Sequence, residues 1–415
     1  MPIDFGRVPP RVPVPEPPRP SKLLWAFLLG VVMCLGAAVA IFLWPAGRPT
    51  NSAWFWFCVI GYPIFAWAFL LCCYLGYAYA RRSGAIANNR IGDDEERKCH
   101  ELASAPLAVL GHAWCFSSDD KENGIEGLVN GSVQMVARSS RAVRGLDVKA
   151  RWLEIPEKPF YAGNELTEHA RHRVVFDWLL NRLVDRITTE LAALPGRTDL
   201  QVDLRIRSEL DLADVRFRVQ ELILAKAPAS RVTVNASGEH PSLFQADAWH
   251  DDLKPGEAHL LIAIQLRRAV SERLQDGVAE TGVALLLGRP RIVQNTPASG
   301  TTSLRLHRPA IKSSDVVGTA LELATRWGQA DSTEIKTVWS HALADEVVRS
   351  IKSSLKFGEQ TRWVDLGATV GTCDGAGSWL ATALAAEHAS LTDDPQLVLT
   401  QEGCDMIALV CRKQI

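Results

Sequence analysis

Hydrophobic positions along the chain fall into two regimes. Leu23–Trp44 and Trp54–Ala80 are apolar runs without a charged residue, and from Pro106 onward short apolar runs alternate with amphipathic stretches. About 20 consecutive apolar residues let a helix cross the hydrocarbon core of a bilayer, so each of the first two runs is predicted to span a membrane. The link between them, Pro45–Ala53, admits only a tight helical hairpin. Trp25 and Trp44 mark the ends of the first span, and Trp54 and Trp56 open the second, as an aromatic belt does. Pro63 is placed to kink the second span. Nothing ionisable lies inside either run, which favours an anchor over a channel or transporter.

The later regime predicts a layered α/β domain. Pro106–Phe116 reads as a buried strand, and residues 166–194 as a long amphipathic helix stopped by Pro195-Gly196. Strands are expected at Leu200–Ile206, Ser230–Ser237, His259–Leu266 and Thr281–Gly288, with a helix at Leu212–Ala227 and a short helix between the last two strands. A second series predicts helix over 313–328, strand over 334–341, helix over 343–357, helix over 377–391 and a closing hairpin made of PQLVLT and MIALVCR. The organisation is therefore a tail (1–22), a hairpin (23–80), a linker (81–104) and two halves, 105–300 and 301–415, of about five strands each.

Charge orients this arrangement. Arg7, Arg11, Arg19 and Lys22 precede the first span and Arg81, Arg82 and Arg90 follow the second, while only Arg48 lies between them. Positive charge stays on the cytoplasmic side, which puts both termini and the domain there. No small-residue cleavage site separates the spans, so a cleaved signal peptide does not fit. A net charge of −2 leaves no strongly basic face, and nucleic acid is set aside as a partner. Of nine cysteines, Cys34, Cys58, Cys72 and Cys73 lie in the spans and the rest are scattered, so reduced thiols are the default. The tail reads PPRVPVPEPPRP, which cannot be helical and is expected to be disordered, with recognition of its PxxP spacing by a partner as the alternative. The acidic-then-basic run in 91–104 predicts a short solvated helix.

Several local patterns, in order, carry a resemblance. They are PLAVLGHAWCF, then NASG at 235–238, LKPGEAHLLIAIQL at 253–266, TGVALLL at 281–287, IKTVWSH at 335–341 and VGTCDGAGSWLATAL at 370–384. Together they resemble the β-ketoacyl synthase branch of the thiolase fold over residues 105–415, which implies a two-half thiolase-like layered α/β domain behind two transmembrane helices. The family attacks an acyl thioester with a Cys thiolate at a helix N-terminus, and two histidines stabilise the oxyanion and carbanion. The resemblance places Asn235 where that Cys stands, His341 at the first histidine and Thr372 at the second. Residues ALAD follow His341 in place of Gly-Thr-Gly-Thr, and the closing glycine-rich loop shrinks to QEGCDMI. Cys404 in that loop is either a displaced nucleophile or, more plainly, a buried apolar thiol. Without a nucleophile, covalent acyl transfer stops, so these positions imply a pocket with no catalytic residues and no bound cofactor.

Other constellations are weaker. Cys99, His100, His112 and Cys115 suggest zinc, but His112 and Cys115 fall on opposite faces of a strand, so no metal site is expected. Asp247, His250, Asp251 and Asp252 read as a solvated helix end rather than a hydrolytic site. Glu168, His169 and His172 are expected on one helical face, with no carboxylate-rich partner motif beside them. No phosphate-binding glycine loop follows a strand.

The resulting expectation is a binding protein: a non-catalytic scaffold at the cytoplasmic face of a bacterial inner membrane, with protein partners. Membrane-anchored accessory proteins of type VI secretion, such as effector adaptors, are similar in organisation. Dimerisation through His259–Leu266 is left open, because a thiolase fold pairs through its N-terminal-half sheet. The alternatives are a membrane-bound, ketosynthase-like acyltransferase using Cys404 or another, unplaced group, and a sensor that binds acyl thioesters without turnover.

Overall fold

The structure, a computed structural model, describes residues 3–290, 304–354, 357–358 and 360–414. It divides into two compact units, residues 3–100 and a globular unit from Glu101 onward. The boundary expected at 300/301 lies outside the described residues.

In the N-terminal unit, α1 (Lys22–Phe42) starts at Ser21, whose hydroxyl accepts the Leu24 N–H. Ser52 caps α2 (Ala53–Trp56) in the same way. The chain then makes one π turn (Phe57–Gly61) and continues as α3 (Tyr62–Ala103). Proline lacks an N–H for the helical ladder, and the π turn absorbs that defect just before Pro63. The two helices approach closely there: a Cβ on Gly36 would lie 2.2 Å from Pro63 Cγ. Trp67 also donates its indole N–H to the Trp25 carbonyl at 2.9 Å. Both helices are long and apolar enough to cross a membrane. Residues 81–104 form no separate short helix, since α3 runs through nearly all of them over its 42 residues. In place of the expected disorder, the tail lies extended along α3, hydrogen-bonded to Arg82 and Asn89.

The globular unit opens with β1 (Leu107–Cys115) and α4 (Ile125–Val129), followed by a two-strand ribbon of β2 (Arg138–Ser139) and β3 (Asp147–Val148). Next come α5 (Glu165–Arg186), α6 (Thr188–Ala192), β4 (Asp199–Arg207), α7 (Leu212–Lys226), β5 (Arg231–Ser237), α8 (Ala246–Asp252), β6 (Glu257–Gln265) and β7 (Thr281–Gly288). No helix separates β6 from β7; residues 266–280 are loop and turn. The second series is β8 (Leu304–Leu306), β9 (Ala310–Ser313), α9 (Val317–Trp327), β10 (Thr337–His341), α10 (Asp345–Ser354), β11 (Arg362–Asp365), α11 (Leu366–Thr369), α12 (Asp374–Thr392), β12 (Gln396–Glu402) and β13 (Asp405–Lys413).

Eleven of these strands join in one sheet, ordered β11-β10-β12-β13-β8-β1-β7-β6-β4-β5, with β9 on β13. The halves meet where β1 pairs antiparallel with β8. Two cores flank the sheet. One holds α5, α6 and α7 against Leu260, Ile262, Ala284 and Leu286, and the other holds α8 and α12 against Leu261, Ala263, Val283 and Leu285. β6 and β7 are thus buried on both faces, which explains their unbroken apolar runs. A bulge between Val109 and Gly111 shifts β1 by one residue. Leu107 and Val109 face the α12 core before it, while Ala113 and Cys115 face the α5 core after it. Helix α12 is buried along most of its length, and its alanines let strands from both halves close over it.

Candidate functional site

The C-terminal ends of parallel strands in an open α/β sheet are where ligands bind, and β4, β6 and β10 bring Arg207, Gln265 and His341 to such ends. The N-terminus of α12 faces them. Arg267, just beyond β6, pairs with Asp374 at 2.7 Å and donates to the Thr372 carbonyl at 3.3 Å. Thr372 is locked by backbone bonds, donating its N–H to Gly277 and accepting from Ala279. Its hydroxyl-bearing side chain is exposed.

His341 is delivered at the tip of β10, as the strand phase predicts, and is 4% exposed. Its ring lies on the backbone of α12: a Cβ on Gly377 would come within 2.1 Å of Nε2. Burial lowers its pKa to about 4, against the opposing pull of Asp365 and Asp374. Nε2 has no hydrogen-bond partner among the described residues. The imidazole is therefore a neutral, buried group.

Asn235 is not at a turn into a helix. It sits within β5, paired in register with Asp203 and exposed at the sheet edge, so the NASG segment makes no nucleophile elbow. The chain runs on through His240 and Pro241 before a helical segment begins at Leu243. The donors at that start are occupied. The Leu243 N–H goes to Glu402 Oε1 at 2.9 Å, and the Phe244 N–H goes to the Ser242 hydroxyl at 3.1 Å. Trp379 donates to the Pro241 carbonyl, and the Gly375 N–H reaches His240 Nδ1 at 3.3 Å. Both N–H groups at this start are therefore taken by side-chain acceptors of the chain itself.

The thiols separate by exposure. Cys404 is exposed in the β12–β13 turn, which overturns the expectation that it is a buried apolar thiol. Cys373, at the N-cap of α12, was not singled out by its sequence context. Burial pushes its thiol up to about 12, and Cys115 up to about 11. A helix N-terminus lowers a thiol pKa only where the thiolate has solvent or a cation to stabilise it.

His112 and Cys115 lie on opposite faces of β1, with His112 on Glu387 at 2.8 Å and Cys115 in the α5 core. Among the described residues no cluster of three or more ligating side chains could hold a metal. The Asp247–Asp252 segment is no solvated helix end. Arg308 bridges Asp247 at 2.8 Å and Asp251 at 2.6 Å, and burial drops the His250 pKa to about 3. The three do not share one face of α5: Glu168 and His172, four apart, are buried, while His169 turns to the exposed side. The partner unseen in the sequence is Glu280, which meets Arg171 at 2.6 Å while Arg171 also reaches Glu168 at 3.1 Å. Burial pushes Glu168 up, but bonds from His172, Val270 and Ser271 together with the Arg171 charge hold it down to about 2.

Beside the crevice lies a cavity of about 460 Å³ lined by Arg207, Arg267, Arg268, Arg273, Glu209 and Glu272, among others. Arg268 is occupied by Glu209 and Glu272.

No family model matches the chain, and no curated protein matches it in sequence. Solved structures do match in fold. The ketosynthase from module 6 of the bacillaene synthase of Bacillus subtilis 168 superposes with a TM-score of 0.50 at 12% identity, covering 75% of this chain and 71% of that one. A type II polyketide ketosynthase, solved with its acyl-carrier protein, gives 0.51 at 11% identity over 75% and 99%. The fold is thiolase-like.

Proposed function

We propose that the chain is a non-catalytic thiolase-fold protein, held in a bacterial inner membrane by its apolar hairpin, that binds a protein partner on the cytoplasmic side. The observation that carries this is the occupied helix start after β5. Glu402 takes the Leu243 N–H, and Asn235 stands exposed in a strand rather than at a helix N-terminus. The neutral His341 pressed on Gly377 supports the same conclusion. The basic flanks of the hairpin support its orientation.

A partner face is supported at the open edge of the first half. β6, which contains most of the His259–Leu266 stretch first considered for dimerisation, is flanked by β4 and β7 and offers no edge. The free strand is β5, and next to it α7 exposes Phe217 at 71% and Leu224 at 41%. An unpaired strand beside exposed apolar side chains is a template for another chain, a second copy included. Type VI secretion accessory proteins share the hairpin-plus-domain organisation, and effector adaptors among them give this proposal its specific form.

A second reading, an acyl-thioester-binding sensor, is favoured by the arginine-lined cavity beside the crevice. Affinity purification of the detergent-solubilised chain, run with an acyl-thioester turnover assay, tests both. The expected result is a stoichiometric protein partner lost on Phe217→Asp, with no turnover. Thioester binding without a protein partner would favour the sensor. Turnover abolished by Cys404→Ala or Cys373→Ala would overturn both in favour of the acyltransferase.

A further inference from the structure

The Pro-rich tail is left unexplained by the domain, yet it is docked with a regular period. A polyproline II helix has three residues per turn, so residues three apart share a face. Pro9 packs on Gly92, where a Cβ would stand 3.4 Å from the Pro9 carbonyl oxygen. Asn89 grips the main chain of Val12 on both sides, its Oδ1 accepting the N–H at 2.8 Å and its Nδ2 donating to the carbonyl at 2.9 Å. Arg82 donates to the Pro15 carbonyl at 3.3 Å. Pro9, Val12 and Pro15 form one column, and Arg82, Asn89 and Gly92 fall on one face of α3, seven and three residues apart. The contacts run antiparallel. Three residues from Pro15 to Val12 cover about 9 Å of polyproline II against about 10 Å of α-helix from Arg82 to Asn89, while Val12 to Pro9 covers about 9 Å against about 4.5 Å from Asn89 to Gly92. Arg11 adds an exposed pair with Asp93 at 2.8 Å.

Pro10, Pro13, Val14, Glu16, Pro17 and Arg19 are exposed and form no hydrogen bond or ion pair among the described residues, whereas Arg11 is tied to Asp93 and the gripped Val12 and Pro15 also keep solvent exposure. We propose that α3 is a splint that holds the tail as a pre-ordered polyproline II ridge, presented to a partner with an aromatic-lined, acid-rimmed proline-binding groove. Exposed Pro10 and Pro13, with Val14 and Pro17 beside them, match the apolar turns such grooves read, and exposed Arg7 supplies the cation for the rim. Pre-ordering removes the entropy that a free tail would lose on binding. The proposal stands independently of the globular unit's function.

The test uses an SH3 domain selective for Arg-x-x-Pro-x-x-Pro peptides as the probe, since the tail carries that spacing at Arg7, Pro10 and Pro13. Binding is measured to the detergent-solubilised full chain and to a free peptide of residues 7–21. The full chain should bind at least tenfold tighter, and Asn89→Ala, a helix-favouring change at a half-buried position, should fall to the peptide's affinity. In parallel, trypsin should cut after Arg11 faster in the variant than in the parent chain. Equal affinities, binding by the peptide alone, no binding by either, or a parent chain cut as fast as the peptide would each overturn the proposal.

Discussion

Glu280 is wholly buried just before β7 and accepts four hydrogen bonds. Two come from the Arg171 guanidinium at 2.9 and 2.6 Å, and two from the Leu153 and Arg267 amides, both at 2.7 Å. Glu280→Ala would strip all four. Arg171 would keep Glu168 at 3.1 Å, so its charge would be only partly stranded. Breaking a buried pair by removing one partner costs roughly 3–5 kcal/mol, and the surviving Glu168 contact argues for the lower end. The two orphaned amides add about 1 kcal/mol or more each. For a unit of this size a kcal/mol moves Tm by roughly 2–4 °C, so a drop of about 10 °C or more is expected in thermal unfolding of the detergent-solubilised chain. Glu280→Gln should cost nearly as much, because its amide must turn one N–H toward a donor. Hydrogen exchange at Leu153 and Arg267 should accelerate in both variants. A drop under about 2 °C, or unchanged exchange at those two amides, would refute the claim that this network ties α5 to the sheet.

Gly377→Ala should destabilise the chain despite alanine's better helix propensity, since its Cβ would need the place of His341 Nε2; a raised Tm in the same assay would contradict that packing. His250, His259 and His341 have pKa values lowered by burial to about 3, 4 and 4. Unfolded imidazoles take up protons near pH 6.5 while these stay neutral, so stability is full above that pH. It falls between 6.5 and about 4, by about 2 kcal/mol per buried imidazole at pH 5. Denaturant titrations at pH 7 and 5 check this, and His341→Gln should flatten the dependence. Maleimide applied to the folded chain should label Cys404 while Cys115, Cys373 and Cys411 stay protected until denaturation; labelling of Cys373 at a similar rate would show that the α12 N-terminus is open.

The elements with a clean period were legible in the chain. The two apolar spans, the doubly buried β6 and β7, and the strand that ends in His341 each announce themselves by continuous or phased apolar residues. What was hidden depended on distant partners. Glu168 and His172 looked idle because Glu280 lies more than a hundred residues away, and Asp247 looked solvated because Arg308 comes from the other half. Asn235 was placed at an elbow by local resemblance, whereas the strand simply continues, since Val232 and Val234 keep their inward phase. Length misled in the other direction at α3. Its charged second half reads as a separate helix only if hydrophobicity, rather than unbroken helical propensity, marks the boundary.

The seam between the halves has a kinetic meaning. β1 is the first strand of the sheet to be synthesised, yet its neighbours are β7 and β8, the latter joined through Leu107 and Leu306. Some two hundred residues must leave the ribosome before that pair can form. Until then a nine-residue apolar strand waits with both edges open. Long-range pairing of this kind folds slowly and exposes sticky intermediates. The chain's hazard on the way to its native state is therefore concentrated at its first strand, and slowing synthesis through β7 would prolong it.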